Sequence, residues 1–323
     1  MIKVGIVGGT GYTAGELIRI LINHPDVEIV SITSTSSAGK PIYDTHRELI
    51  GETELQFSEK LAPCDVVFLC LGHGISREFL TNNPLDECCK VIDLGNDFRL
   101  DEQFENRNFT YGLTDLNREK IEKSDNVANP GCFATAIQLA LLPLIDSKLV
   151  TDEIHIHAIT GSTGAGKSLT GTSHFSYRDN NISVYKSFTH QHLGEIRKTL
   201  SNLNGSDIPE INFVPMRGDF PRGIFASLYT KCTITDAEEI AKLYKEYYKD
   251  SPFVHYSDKG ISLKEVVNTN KCLIHTELHN GRIHITSIID NLIKGASGQA
   301  VENMNLMFGL PQKRGLSLKP STF

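Results

Sequence analysis

Residues 2–21 read IKVGIVGGTGYTAGELIRIL, and this stretch decides the fold. Its first six residues form an apolar run with the length of a buried strand. From Tyr12 to Asn23 the apolar positions Leu17, Ile18 and Leu21 fall at helical spacing, and VEIVSI (27–32) follows as a second strand. Strand, glycine turn, helix and strand in that order predict a βαβ unit of a parallel sheet. The turn GGTGYTAGE (8–16) has the glycine spacing G-x-x-G-x-x-A-G, a variant of the dinucleotide fingerprint. Glycines there permit a tight turn and let N–H groups at the helix start approach a pyrophosphate. Gly8, Thr10, Gly11, Tyr12 and Thr13 are the candidate contacts, against the plainer reading of a turn that only packs helix on strand.

The end of the second strand bears on which dinucleotide is used. An NAD site usually places a carboxylate there for the ribose 2′-hydroxyl. This chain has SITSTSSAGK (31–40), offering Ser34, Ser36, Ser37 and Lys40 and no acid to repel a 2′-phosphate. NADP(H) is the expected cofactor, the alternative being a hydroxyl-rich loop with no such role.

The remaining runs fill out two domains, as 323 residues with 40% apolar and 22% charged composition suggest. DVVFLCL (65–71) and KVIDL (90–94) extend the parallel sheet, with GISREFLTNN (74–83) as a helix between them. After FATAIQLALLPLI (133–145), a helix expected to kink or end at Pro143, the pattern changes. EIHIHAIT, INFVPM, GIFASLYTKCTI, CLIHTEL and RIHITSIID are strand-like, with DAEEIAKLYKEYYK a helix capped by Asp236. The expectation is α/β: a Rossmann-type dinucleotide domain (1–131 and 295–323) joined to a mixed α+β catalytic and oligomerisation domain (132–294) with a largely antiparallel sheet. The last helix, GASGQAVENMNLMFGL (295–310), is expected to return to the first domain.

A formal net charge of −7 without a Lys/Arg block gives no footprint for nucleic acid or an anionic membrane. No apolar run reaches the roughly 18 residues of a membrane helix. The start lacks a secretory leader pattern, so a cytoplasmic protein is expected. Seven cysteines without a C-x-x-C pair indicate neither a disulfide framework nor a metal site, and buried reduced thiols are the ordinary reading for most.

Cys132 is the exception. ANPGCFATA (128–136) puts it after Pro-Gly at a helix start, where exposed N–H groups favour thiolate and can bring a thiol from about 8.5 to between about 3.5 and 7.5. A thiolate in a dinucleotide-binding chain suggests covalent redox chemistry with an acid/base nearby. His190 and His192 in FTHQHLGEI stand just ahead of an amphipathic helix and are candidates, helix capping being the alternative. His155 and His157 share one strand face and read as structural.

With these pieces assembled, the chain resembles the N-acetyl-gamma-glutamyl-phosphate reductase family over nearly its whole length. The motifs are GGTGYTAGELIRIL, DLGNDFRL, YGLTDLNR, ANPGCFATA, GSTGAGK, HQHLGEI, PRGI and NLIKGASGQAVENMN, in the family's order. The resemblance implies NADPH-dependent reduction of an N-acylglutamyl 5-phosphate, a small acyl phosphate, to the semialdehyde in arginine biosynthesis, by a homodimer or homotetramer. It implies Cys132 as nucleophile, with His192 and His190 as acid/base and substrate-side partner in an order the sequence leaves open. Arg99, Asn129, Ser162 and Arg222 would meet substrate, and Gly164 and Asn291 would lie at the nicotinamide end. No metal is implied. Acetyl is the expected acyl group and succinyl the alternative. Two positions depart from the pattern: Met216 and Arg217 stand where a histidine is expected, and Lys167 where arginine is usual.

One motif invites another reading. Gly161 to Ser168 matches G-x-x-x-x-G-K-[ST], the triphosphate loop. That loop opens a helix, whereas SLTGTSHFSYRDNNIS (168–183) has no apolar helical stripe, so neither ATP nor GTP is expected there. Other rivals are an aspartate-semialdehyde dehydrogenase, a reductase for carrier-linked aminoadipyl phosphate, and a non-catalytic NADP sensor.

Overall fold

A computed structural model describes residues 1–72 and 74–322. The chain divides into two compact units, Met1–Pro130 with Ala296–Ser317, and Gly131–Gly295 with the residues from Leu318 onward. The final residues, expected with the first unit, therefore group with the second.

The first unit opens with β1 (Ile2–Val7), α1 (Tyr12–Leu21) and β2 (Val27–Thr33). It continues through β3 (Val66–Leu69), α2 (Ser76–Asn82), β4 (Lys90–Asp93) and a small hairpin, β5 (Gln103–Phe104) with β6 (Arg107–Asn108). Then come β7 (Thr110–Tyr111), α3 (Thr114–Glu122) and β8 (Asn126–Ala128). The sheet order is β2-β1-β3-β4-β8-β7, and every pairing is parallel. Parallel strands covered on both faces need continuous apolar sequence, and all four residues of β3 are buried. Strands β7 and β8 are too short to announce themselves by periodicity. Their residues pair with each other, and β8 pairs with β4.

The second unit holds α4 (Cys132–Asp146), β9 (Ile154–Thr160), α5 (Phe175–Arg178), β10 (Ser183–Val184), α6 (His192–Asn204) and β11 (Ile211–Arg217). It ends with β12 (Ile224–Lys231), α7 (Ala237–Tyr247), β13 (Val254–Tyr256), β14 (Cys272–His279) and β15 (Arg282–Ile289). The seven strands run β10-β11-β9-β12-β15-β14-β13. The pairs β11/β9 and β13/β14 are parallel and the other four antiparallel, so the sheet is mixed and largely antiparallel. Asp236 caps α7 by accepting from the Glu238 N–H at 2.9 Å.

Helix α4 is the spine of this unit, with residues 133–145 all buried. It runs through Pro143 to Asp146, so of the kink or end expected at the proline, the end does not occur. Pro143 has no N–H to give the Leu139 carbonyl one turn back. The Tyr248 hydroxyl donates to that carbonyl at 2.5 Å, and Tyr244 donates to Ala140 O at 2.6 Å. Two phenols on and just after α7 thus satisfy the buried carbonyls of the proline turn.

After a π-turn over Ile293–Ser297 the chain re-enters the first unit as α8 (Gly298–Met307), all of whose residues are buried. Its polar side chains are bonded within that unit. Asn303 donates to Gly112 O at 3.0 Å and to Asn129 Oδ1 at 3.1 Å, and Glu302 accepts from Thr114 at 2.9 Å and Gln312 at 2.6 Å.

Asp93 closes β4 and is fully buried, accepting at Oδ1 from Ser76 Oγ (2.6 Å) and the Gly95 N–H (3.1 Å), while Oδ2 has no partner among the described residues. Burial pushes its carboxyl up to about 6, against the Ser76 and Gly95 hydrogen bonds and the Arg99 charge. The native state thus holds this proton more tightly than the unfolded chain. The group's contribution to stability is greatest below the unfolded value and falls as pH rises toward 6. Asp93→Asn should flatten that dependence: thermal melts of parent and variant should differ by on the order of 2 kcal/mol more at pH 8 than at pH 4. An unchanged difference across that range would contradict the assignment.

Candidate active site

The second unit places Cys132 as the first residue of α4, half-buried. Gly131 precedes it in extended conformation (φ −70°, ψ 151°), and its carbonyl accepts from the Thr135 N–H at 2.8 Å, which starts the helical ladder. No side chain caps the helix and no acid lies in its first turn. The partial positive charge of the 15-residue α4 therefore acts on the Cys132 sulfur, stabilising thiolate.

Helix α6 brings its own first turn to the same place. His192 is its first residue, 5% exposed, and Glu195, 3% exposed, is one turn on. Glu195 Oε2 accepts from the Gly131 N–H at 3.1 Å, and Oε1 lies 3.9 Å from His192 Nε2. A Cβ on Gly131 would stand 2.4 Å from His192 Nε2 and 2.7 Å from Glu195 Oε1, so only glycine lets α4 and α6 start this close together. His190 is differently placed. Its Nδ1 accepts from the His192 N–H at 3.2 Å, which leaves the neutral ring's proton on Nε2. Its ring stands edge-on to Phe133, Phe213, Tyr185 and His192 at 4.6–5.8 Å. His190 brackets the helix start, and His192 is the histidine set against the residue before the cysteine.

Tyr185 and Arg217 complete the surroundings. Burial pushes the Tyr185 phenol up to about 12, the Cys132 charge adding and Arg217 opposing. The Arg217 guanidinium lies 4.8 Å over the Tyr185 ring, and its buried Nε has no hydrogen-bond partner among the described residues. Arg217, at the position that departs from the family pattern, therefore puts a cation against Tyr185. Arg222 is differently placed. Its Nε and Nη2 bond Asp290 at 3.0 and 3.2 Å, and Asp290 also accepts from the backbone of Asn268, Leu292 and Ile293. That pair fixes the turn after β15 and commits two of the three Arg222 nitrogens.

The GSTGAGK loop follows β9 as a 3₁₀ turn over Ser162–Ala165, and no helix begins at Lys167, which is exposed. The geometry is not that of a triphosphate loop. Instead the loop is tied to the 220–223 segment: Ser162 N–H donates to Phe220 O at 2.8 Å and Thr163 Oγ1 to Pro221 O at 2.6 Å. Asn291 locks the two together, donating to Thr163 Oγ1 at 3.0 Å and accepting from the Gly223 N–H at 2.7 Å. Gly164 lies at the exposed end of this loop. Gly295 packs on Cys132, where a Cβ would come within 2.8 Å of the Cys132 Cβ.

In the first unit Gly8 has φ +81°, and a Cβ there would strike Cys70 O at 2.6 Å. Gly11 heads α1 without a side-chain cap, and the first turn carries no acid. This cradle suits a pyrophosphate. Thr10 lies in the loop, Tyr12 is 41% exposed, and Thr13 O accepts from Ser297 Oγ at 2.7 Å. Ser34 and Ser36 face each other at 3.5 Å beyond β2, with Ser37 and an exposed Lys40 following. His46, which sequence reading missed, bonds through Nε2 to Gly9 O at 2.7 Å and braces the loop from behind. Arg99 and Asn129 are buried within this unit. Arg99 donates to Asn129 O (2.9 Å) and Leu94 O (3.2 Å), and the Asn129 amide bonds Ala296 O and Asn303. Among the described residues no cluster of His, Cys, Asp or Glu could hold a metal.

Residues 3–124 match the family model for the NAD binding domain of semialdehyde dehydrogenases, and residues 132–291 the model for their dimerisation domain. The chain is 56% identical to the N-acetyl-gamma-glutamyl-phosphate reductase of Flavobacterium johnsoniae and 55% identical to that of Phocaeicola vulgatus, each covering 100% of both chains. Among solved structures, aspartate semialdehyde dehydrogenase II from Vibrio cholerae superposes with a TM-score of 0.73 over 96% of this chain and 99% of its own. At 15% identity that likeness shows the fold.

The tight seat of Gly131 has a direct test. Gly131→Ala drives a methyl group into His192 and Glu195, so alkylation of Cys132 by iodoacetamide at pH 7, followed by mass spectrometry, should slow roughly tenfold. Alkylation at the parent rate in a folded variant would refute the coupling.

Proposed function

The chain belongs to the N-acetyl-gamma-glutamyl-phosphate reductases of the semialdehyde dehydrogenase family, and we propose from that premise that Cys132 and His192 carry the reduction of the acyl phosphate. The observation that supports this most is the joint start of α4 and α6, with Gly131 between Cys132 in sequence and His192 in space.

The Cys132 thiolate attacks the γ-carbonyl carbon. A C–S bond forms, the C–O bond to phosphate breaks, and phosphate leaves with its electron pair. N–H groups in the first turn of α4 stabilise the oxyanion of this step. NADPH, when bound, supplies the hydride that reduces the thioester. His192 protonates the alkoxide of the thiohemiacetal and takes the proton back as the C–S bond breaks, releasing the semialdehyde and restoring thiolate. Glu195, 3.9 Å from His192 Nε2, favours the charged imidazolium during that exchange. His190 holds the start of α6 in place.

Arg217 is our candidate contact for the substrate's anionic groups, since its Nε is uncommitted whereas Arg222 is paired with Asp290. Ser162 lies on the loop nearest in sequence to that function. Gly164 and Asn291 shape the same loop, Arg99 and Asn129 brace the first unit, and the glycine loop with Ser34, Ser36, Ser37 and Lys40 holds NADP(H).

Among the described residues no helix is long and apolar enough to cross a membrane. A cytoplasmic setting belongs to the proposed reading, in keeping with seven cysteines of which none is in a disulfide. So does a homodimer or homotetramer built on the second unit. Its sheet turns His157 and Tyr229 outward, opposite residues such as Ile156 and Leu228 that are fully buried. Light scattering should give a mass of two or four chains, and a monomer at micromolar concentration would contradict the assembly.

Catalysis is tested by the reverse reaction, phosphate-dependent NADP⁺ reduction with N-acetylglutamate semialdehyde, run beside the N-succinyl analogue. Cys132→Ser should bind NADPH as the parent does and lose turnover by roughly a thousandfold or more. A serine variant with more than about a hundredth of parental activity, or turnover without phosphate, would overturn the thioester route.

A further inference from the structure

The nucleotide-binding unit carries a pair of thiols that the reduction does not use. Cys64 Sγ and Cys89 Sγ lie 3.8 Å apart, although 25 residues separate them in sequence. Cys64 stands two residues before β3 and Cys89 immediately before β4, and those strands pair in parallel with Val66 opposite Lys90. Backbone bonds on either side hold the spacing: Asp65 N–H to Lys3 O at 2.8 Å, and Lys90 N–H to Asp65 O at 2.9 Å. Gly5 on β1 leaves room for the sulfur, since a Cβ there would lie 3.0 Å from Cys64 Sγ. Both cysteines border a cleft of about 800 Å³ that Cys88, Phe79 and Leu85 also line, which gives a small oxidant a way in.

We propose that Cys64 and Cys89 are a reversible oxidation site, closing to a disulfide under peroxide and stapling the entry ends of β3 and β4. The two thiols are unequal partners. Cys64 is the partly exposed member of the pair, whereas Cys89 is buried with its sulfur 3.6 Å from Lys90 O; the contact between the sulfurs holds Cys64 below its usual range and, together with burial, pushes Cys89 up. Cys64, the sulfur an oxidant reaches, is therefore the attacking one. Its thiolate takes one oxygen of hydrogen peroxide; the S–O bond forms, the O–O bond breaks, and the other oxygen leaves as hydroxide, which takes up the proton that Cys64 released on ionising and becomes water, giving a sulfenic acid. Cys89 then attacks Cys64 Sγ. The S–S bond forms, the S–O bond breaks, and the departing hydroxide takes the Cys89 proton, so two thiols are oxidised by one peroxide reduced to two waters. All strands of this sheet are parallel, so the pair lies at the end opposite the glycine loop that follows β1. The staple leaves that loop open.

The test uses the full-length chain with Cys132→Ser, which keeps oxidation of the catalytic thiol out of the measurement. After peroxide, thiols are blocked with iodoacetamide and the protein is digested without reductant. A peptide pair joined through Cys64 and Cys89 should appear, disappear with dithiothreitol, and accompany a rise in melting temperature of about 5 °C. Adding Cys64→Ser, or Cys89→Ala as a second route, should abolish both effects. In the background with Cys132 intact, Cys64→Ser should keep reductase activity within about twofold. Unlinked sulfurs, a Cys64–Cys88 link in place of Cys64–Cys89, or linkage without a rise in melting temperature would each overturn the proposal.

Discussion

The catalytic unit depends on one close approach. At Gly131 the chain passes within van der Waals range of His192 and Glu195 with no space for a side chain, and one carboxylate binds the backbone of one helix start while facing the histidine of the other. Two helix N-termini would ordinarily repel, since each carries partial positive charge. Glu195 sits between them as the compensating anion, nearly fully buried, and so α4 and α6 can begin side by side. From that joint follow the seat of His192 and the aromatic box around His190. The spine of α4 behind it, with its proline turn satisfied by two phenols, fixes where the joint can be.

Much of this was legible in order and little of it in detail. The βαβ opening was readable because buried parallel strands need unbroken apolar runs and glycine turns leave a visible spacing. Cys132 was readable because Pro-Gly ahead of an apolar helix sets a thiol at the helix start, where unpaired N–H groups act on it. Glu195 went unread, although it lies three residues after His192, because an acid in a first helical turn is commonplace and its partner Gly131 is 64 positions away. Pro143 misled in the opposite direction. The loss of an N–H is a local property, whereas its remedy, the Tyr248 hydroxyl, comes from 109 residues downstream of the carbonyl it serves.

The arginines and amides show the same limit. Arg99, Arg222, Asn129 and Asn291 carry the right chemistry for anions and cofactors, and a motif makes each look like a contact. In the fold their polar atoms meet carbonyls, a buried aspartate and one another. Arg217 stands where the family pattern fails, and its buried Nε has no hydrogen-bond partner among the described residues. Sequence identifies groups able to bind an anion. Which of them remain available is decided by the packing around them.

The chain order of the two units has a consequence for synthesis. The first unit needs α8, every residue of which is buried, yet α8 is encoded after the whole of the second unit. At about 5–20 residues per second, a ribosome takes on the order of ten to thirty seconds to make residues 131–295. Through that interval the first unit lacks the helix whose Asn303, Glu302 and Asn305 bond Gly112, Asn129, Thr114 and His24. The second unit is contiguous in sequence apart from its last few residues, so it can fold first. The nucleotide cradle is then the last part of the molecule to be finished, and a chain truncated before Gly298 would leave it without its closing helix.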